Sequence, residues 1–383
     1  MSPIMSTFGV YIHVPFCATR CGYCDFNTYT PGELGSDSSP EAYLSALATE
    51  LRLSAAATSH RRVDTVFVGG GTPSLLGAEK LGSILQMIRD HYELAEDAEI
   101  TTESNPESTS ASYFEQLRAA GFTRVSLGMQ SASEKVLATL DRTHTPGRAA
   151  RAAEQARAAG FEHVNLDMIY GTPGESDDDV RLTLETVLGA GVDHVSAYAL
   201  IVEPNTKMGR LVRTGQLPAP DDDVMARRYE LIAHSLEAAG FDWYEVSNWA
   251  RPGGECRHNI GYWTDADFWG AGPGAHSHLG DRRFFNVKHP RTYYQRLGQG
   301  ELPIQESEQL SAAERHTEKV MLGLRLREGI ALDTLGPSAA PMIERYVERQ
   351  LLSVDKHRLT LSDQGRLLAD GIIADLLLAE EGH

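Results

Sequence analysis

Cysteine is scarce in this chain. Only four occur in 383 residues, too few for the disulfide framework of a secreted scaffold. Long apolar runs are missing too. No uninterrupted stretch reaches the roughly 20 residues that a membrane-spanning helix needs, and the opening MSPIMSTFGV lacks the basic and apolar segments of a secretory signal. Positive charge is in deficit, with 35 Lys and Arg against 53 Asp and Glu, a net charge of -18. A nucleic-acid partner calls for a basic face, and anionic lipid calls for the same, so neither is expected. Dimerisation, and contact with a membrane through a partner, stay open. The expected location is the cytoplasm, where thiols remain reduced. What the chain does carry is apolar bulk, 42% of its residues, enough for one large domain and a smaller one.

Three of the four cysteines sit in one stretch, GVYIHVPFCATRCGYCDFNTY, at Cys17, Cys21 and Cys24. They follow the strand-like run Val10–Val14 with the spacing C-x3-C-x2-C. Short, loop-compatible spacings of thiolates hold iron–sulfur clusters. Three thiolates hold three irons of a four-iron cluster and leave the fourth iron open. A structural zinc site is the competitor, and it wants four protein ligands; Asp25, His13 or the distant Cys256 are the candidates for a fourth.

Beyond this loop the chain alternates. Residues 31–39, PGELGSDSS, read as a polar surface loop. Ser39 and Pro40 then read as the N-cap and first position of a helix. Strand-like runs follow at 63–69, 98–104, 124–130, 163–171 and 194–200, with helical patterns between them. With the first strand this makes six β-then-α units, the signature of a parallel sheet with helices outside. AAGF recurs at 119–122, 158–161 and 238–241, and GAGV stands at 189–192; each glycine reads as a left-handed helix end before a strand. Six units fall short of the eight of a closed barrel. The expected fold is therefore α/β, an incomplete (β/α)6 TIM-like barrel over residues 1–245. Residues 246–305 are expected to extend the sheet or cover its opening. Residues 306–383 read as helices, a small hairpin and a final helix, a winged-helix-like α+β domain.

In parallel βα sheets ligands sit at the carboxyl ends of the strands. The second strand runs into Gly69, Gly70, Gly71 and Thr72, where glycines admit a ligand to the backbone and free amides bind it. The third strand is read as ending in Glu103, the fourth in Gln130 and the fifth in Asp167, with Arg142 on the segment after the fourth. Later, residues 247–279 pack Cys256, His258, His276 and His278 among Tyr262, Trp263, Phe268 and Trp269. Aromatic walls with a histidine suit a flat macrocycle whose iron takes an axial ligand; composition alone favours an ordinary core with its histidines satisfied by backbone.

The run YIHVPFCATRCGYCDF resembles the radical S-adenosylmethionine signature, with the aromatic Tyr23 before the last cysteine. Its flanks resemble the family of oxygen-independent coproporphyrinogen III oxidases and their heme-chaperone (HemW) branch, over about residues 9–375. The resemblance implies a [4Fe-4S] cluster on Cys17, Cys21 and Cys24, with S-adenosyl-L-methionine on the open iron. It implies contacts to that molecule from Tyr11, Tyr23, Gly70, Gly71, Thr72, Glu103, Gln130, Arg142, Asp167 and Ile201. HNIGYW (258–263) resembles the H-N-x-x-Y-W signature of the heme-chaperone branch, and makes His258 the first candidate for heme contact, with His276 and Cys256 as alternates. The oxidases carry a further cysteine two places after the third, where this chain has Phe26, and an N-terminal extension that the first strand, about nine residues in, leaves no room for. The expectation is thus a chaperone that binds heme and hands it to an acceptor protein; the alternative is radical decarboxylation of coproporphyrinogen III.

Overall fold

The computed structural model describes residues 7–34, 39–142 and 145–381. Six strands and six helices alternate as the sequence reading expects: β1 (Phe8–Val14), α1 (Pro40–Ala57), β2 (Val63–Gly70), α2 (Gly77–His91), β3 (Leu94–Ser104), α3 (Ala111–Ala120), β4 (Arg124–Gln130), α4 (Arg148–Ala158), β5 (His163–Tyr170), α5 (Asp177–Gly189), β6 (His194–Ala199) and α6 (Asp222–Ala238). Local chemistry sets the boundaries. The Ser39 side chain accepts from Ala42 N ahead of Pro40 and opens α1. Gly121 closes α3 at φ 107°, a left-handed cap that a side chain resists. Of the expected surface loop, Pro31–Leu34 form a helical turn, and residues 35–38 lie outside the described residues.

β1 to β6 pair side by side in chain order, all parallel. Right-handed crossovers in one unbroken order put every helix on the same face. Val, Ile and Leu at alternate strand positions, such as Val10, Ile12 and Val14 on β1 and Val125, Leu127 and Met129 on β4, pack under those helices in one core. Each such side chain fully buried contributes about 1.5–3 kcal/mol. The opposite strand face is left to line an interior.

The sheet does not close. Its 12 strands run from Ile304–Gln309 at one edge to Asp242–Glu245 at the other, where only a bridge from Glu245 to Leu326 continues the pairing among the described residues. Beyond β6 lie β8 (Asn248–Ala250) and then β7 (Asp242–Glu245), both antiparallel. Helix α7 (Arg257–Trp263) follows in the chain. Beyond β1 lie β9 (Asp267–Ala271), parallel to it, and the antiparallel strands β10 (His276–Leu279), β11 (Arg282–Asn286) and β12 (Ile304–Gln309). Strands from residues 246–305 thus extend the sheet. They serve both of its edges, and the last strand runs past residue 305 to Gln309.

The C-terminal part packs α8 (Ala312–Gly323), α9 (Ala340–Glu348) and α10 (Ala369–Glu380) against a three-stranded antiparallel sheet. Its order is β13 (Ile330–Ala331), β15 (Arg358–Leu361), β14 (Leu352–Asp355). The small α+β unit expected there is present. Among the described residues no helix is long and apolar enough to cross a membrane.

Candidate cofactor site

The inward strand faces carry polar side chains at two-residue steps: Glu99, Thr101 and Glu103 on β3, Arg124 and Ser126 on β4, Asn165 and Asp167 on β5, His194 and Ser196 on β6. Most of them line a cavity of about 880 Å³. Its mouth is the cysteine loop.

That loop is stitched from three sides. A bridge joins Phe16 to Tyr29, and Cys17 N donates to Tyr29 O at 3.0 Å. Gly22 N donates to Leu140 O at 3.2 Å, and Met208 N donates to Gly22 O at 2.8 Å, which ties the loop to the segments after β4 and β6. Cys17, Cys21 and Cys24 are free, half-buried thiols, and all three line the cavity. The Thr72 hydroxyl donates to Cys17 Sγ at 3.7 Å and Arg142 Nη1 to Cys21 Sγ at 3.8 Å. Burial pushes the Cys17 and Cys24 thiols up, and the neighbouring cysteines add to the rise. Donors aimed at the sulfurs work in the other direction and favour thiolates.

The fit to a single ion is poor. Among the described residues no three His, Cys, Asp or Glu side chains close around one ion position. His13 has both ring nitrogens engaged, by Tyr11 OH at 3.1 Å and Asn27 O at 2.9 Å. Cys256 is buried, donates to Glu99 Oε1 at 3.4 Å, and has its thiol pushed up to about 12 by burial. Asp25 is exposed. A closed zinc site wants four ligands; three thiols with nearby donors and no fourth residue fit an open-cornered cluster better.

The glycine turn behaves differently from its reading in the sequence. Its amides are not free. Gly70 N donates to Glu103 Oε2 at 3.1 Å, Gly71 N to Val14 O at 2.8 Å and Thr72 N to Phe16 O at 2.7 Å. The turn splices β2 to the backbone that leads into the cysteine loop. A Cβ at Gly71 would stand 2.5 Å from Phe16 O, so glycine is what permits the splice.

Below the mouth sit two carboxyl groups. Burial, then the nearby Asp167, push Glu103 up to about 8. Burial also raises Asp167, against hydrogen bonds from Ser126 at 3.1 Å and Asn165 at 2.6 Å. Asp167 lies mid-strand, three residues before the end of β5 at Tyr170, one layer deeper than a strand-end reading puts it. Gln130 holds φ 69°, a left-handed backbone at a bulge between β4 and β5; in a side-chain-bearing residue that conformation marks a constrained site. Arg142 donates to Tyr23 OH at 3.3 Å and Gly128 O at 3.0 Å. Tyr23 and Tyr11 line the cavity with it, and Ile201 lines the rim, 70% exposed.

The floor was not foreseen. Glu99 pairs with Arg124 at 3.4 Å, both buried, and accepts from the His258 and Arg257 amides at 2.9 and 3.0 Å, capping α7. His194 bonds Asn165 and Tyr244, each at 2.7 Å. The signal was available: these polar residues alternate with Val and Leu on strands that are otherwise apolar. His258 lies on this floor with both ring nitrogens taken, Nδ1 by Thr65 and Nε2 by Tyr262, each at 2.8 Å, and with its ring stacked on Phe67. Burial pulls it down to about 4. It borders the cavity with both ring nitrogens hydrogen-bonded. The other residues of 247–279 scatter. His276 is exposed and stacks on Phe285, while Trp269 is core against Phe284.

An open parallel barrel with three thiols gathered at its mouth defines a class, the radical S-adenosylmethionine superfamily. Comparison with known proteins agrees. The family model described as the radical SAM superfamily matches residues 11–187, and the HemN C-terminal domain matches residues 310–368. The heme chaperone HemW of Mycobacterium tuberculosis is 59% identical over 97% of this chain and 95% of its own. The heme chaperone HemW of Escherichia coli is 34% identical over 97% of this chain and 98% of its own. The coproporphyrinogen III oxidase (HemN) of Escherichia coli superposes with a TM-score of 0.82 at 23% identity, over 97% of this chain and 90% of its own; at that identity the likeness is one of fold. This chain belongs to the HemW family of heme chaperones.

Proposed function

We propose that this protein is a heme chaperone that binds heme and passes it to an acceptor protein. It carries a [4Fe-4S] cluster on Cys17, Cys21 and Cys24, and S-adenosyl-L-methionine at the open corner. The observation that carries the cofactor reading is the convergence of three free thiols, the Thr72 and Arg142 donors and two carboxyl groups on one cavity. When bound, the cluster with S-adenosylmethionine supplies redox chemistry. This chain's residues hold and orient it. Arg142 suits the ligand's carboxylate. The ligand's ammonium donates, so the turn's part toward it falls to carbonyl oxygens, while the amides of Gly70, Gly71 and Thr72 are already engaged and do not serve its carboxylate. Glu103 and Asp167 suit ribose hydroxyls or a cationic group.

The names of the relatives support the chaperone reading over the oxidase one. So does Phe26, which stands exposed at the mouth where the oxidases have a further cysteine. The cytoplasm suits a protein with three exposed-edge thiols.

The test is anaerobic reconstitution followed by parallel assays. Saturable heme binding without coproporphyrinogen turnover is expected. Robust turnover overturns the chaperone assignment. Changing any one of Cys17, Cys21 or Cys24 to Ser is expected to abolish the cluster; iron and sulfide contents equal to the parent's overturn the ligand set.

A further inference from the structure

Residues 270–277 read GAGPGAHS and span the turn between β9 and β10. None of them lines the cavity beneath the cysteine loop. The turn is fixed from outside: Gly272 N donates to Glu50 Oε2 at 2.8 Å, Gly274 N to Val287 O at 3.0 Å, and Asn286 N to Ala275 O at 2.9 Å. What it faces is the cysteine loop. Asn27, three residues after Cys24, donates from Nδ2 to Pro273 O at 3.0 Å and to Lys288 O at 2.9 Å. Gly274 holds φ 76°, and a Cβ there would stand 2.7 Å from that same Nδ2. Only glycine lets the two loops meet so closely.

Asn27 is held by its other polar groups as well. Its Oδ1 accepts from the Tyr29 hydroxyl at 3.1 Å, and its carbonyl oxygen bonds His13 Nε2 at 2.9 Å. It stands at the centre of a tight turn in which Thr28 N donates to Phe26 O at 2.7 Å. The residues on either side of it carry donors for the cluster sulfurs. The Phe26 amide bonds the Cys24 sulfur and the buried Thr28 side chain bonds the Cys17 sulfur, and each bond pulls its thiol down against burial.

Hydrogen bonds to the sulfurs help set the reduction potential of an iron–sulfur cluster, and groups behind the ligands keep such donors aimed. We propose that Asn27 is a positioning residue for the cluster: it clasps the 270–277 turn and so keeps the Phe26 amide on Cys24 and the Thr28 hydroxyl on Cys17. This role rests on the cluster reading above, and it draws into the cluster's surroundings a segment 246 residues further along the chain. Donors held on thiolate sulfurs withdraw negative charge and favour the reduced cluster. A released turn lets them drift, and the potential falls.

The test is a redox titration of the anaerobically reconstituted full chain, followed by electron paramagnetic resonance, with iron and sulfide measured alongside. Asn27→Ala is expected to shift the reduction equilibrium about tenfold toward the oxidised cluster, about 59 mV for one electron. A merely structural role would lower iron content and leave the midpoint in place. Thr28→Val removes one donor directly and is expected to shift the midpoint the same way. Adding it to Asn27→Ala is expected to move the midpoint little further, because that donor is already displaced. The parent's midpoint in cluster-loaded Asn27→Ala overturns the assignment, as does full additivity in the double variant. Should Asn27→Ala hold no cluster, Tyr29→Phe carries the test, since it frees Asn27 Oδ1 and leaves the turn's own residues in place. A smaller fall is expected there, and the parent's midpoint overturns the assignment. A parent chain that takes up no iron and sulfide overturns the cluster reading itself.

Discussion

A methyl group at Gly128 would stand 2.8 Å from Arg142 Nη2 and 3.0 Å from Gln130 Nε2. Glycine there is the space into which the guanidinium lies. Gly128→Ala pushes Arg142 away from Gly128 O, Cys21 and Tyr23, and overpacking of this kind costs about 1–3 kcal/mol. The expected outcome is S-adenosylmethionine affinity reduced about tenfold with iron content unchanged, read by equilibrium binding to reconstituted protein. Unchanged affinity would mean that Arg142 does not contact the ligand. Residues of this kind separate what was legible from what was not. Arg142 and Gln130 could be picked from the sequence because the family resemblance marks their positions. Gly128 could not, since its role is the room it leaves for a side chain 14 positions away, and the positive φ of Gln130 is a product of the β4–β5 bulge.

At the scale of elements, α1 is locked to the far edge of the sheet by a single buried carboxyl group. Glu50 accepts from Gly272 N at 2.8 Å, from Asn286 Nδ2 at 2.7 Å and from the Tyr293 hydroxyl. Burial pushes it up to about 7 against those bonds. Glu50→Leu leaves three donors unmatched in a dry site, a loss of about 3 kcal/mol or more at about 1–3 kcal/mol each. Glu50→Gln keeps an acceptor and loses less. Denaturant midpoints of the two variants check this, and equal losses would mean that packing, not hydrogen bonding, is what Glu50 supplies. Element order was readable because period-2 and period-3.6 patterns are local. The partners of β7 to β12 were not, because pairing across a sheet edge depends on shape that a local pattern does not carry. Which edge each strand of 246–305 would join was open for that reason.

The whole molecule carries a pH dependence whose sign follows from its buried groups. Glu50 and Glu103 are raised to about 7 and about 8, above an ordinary carboxyl near 4.5. The folded chain therefore holds protons that the unfolded chain releases, and stability falls as pH rises through that window. His258, lowered to about 4 from 6.5, acts oppositely, but only below pH 6.5. Between about pH 6.5 and 8 the carboxyl groups prevail. The thermal midpoint of cluster-free protein is expected to fall across that range, and Glu103→Gln is expected to flatten the fall. A midpoint that rises there would mean that Glu103 is ionised throughout.

The sequence by itself determined the βα alternation, the cysteine triad and the polar groups toward the strand ends, because each is written in spacing and residue chemistry within a few positions. Only the tertiary structure decided which backbone amides are already spent, that both His258 nitrogens are hydrogen-bonded, and that Arg366, Tyr229 and Trp243 enclose one cavity. Those outcomes turn on hydrogen-bond partners and walls drawn mostly from segments distant in the chain, from 33 residues between Gly70 and Glu103 to 193 between Thr65 and His258, and burial gives each of them its energy.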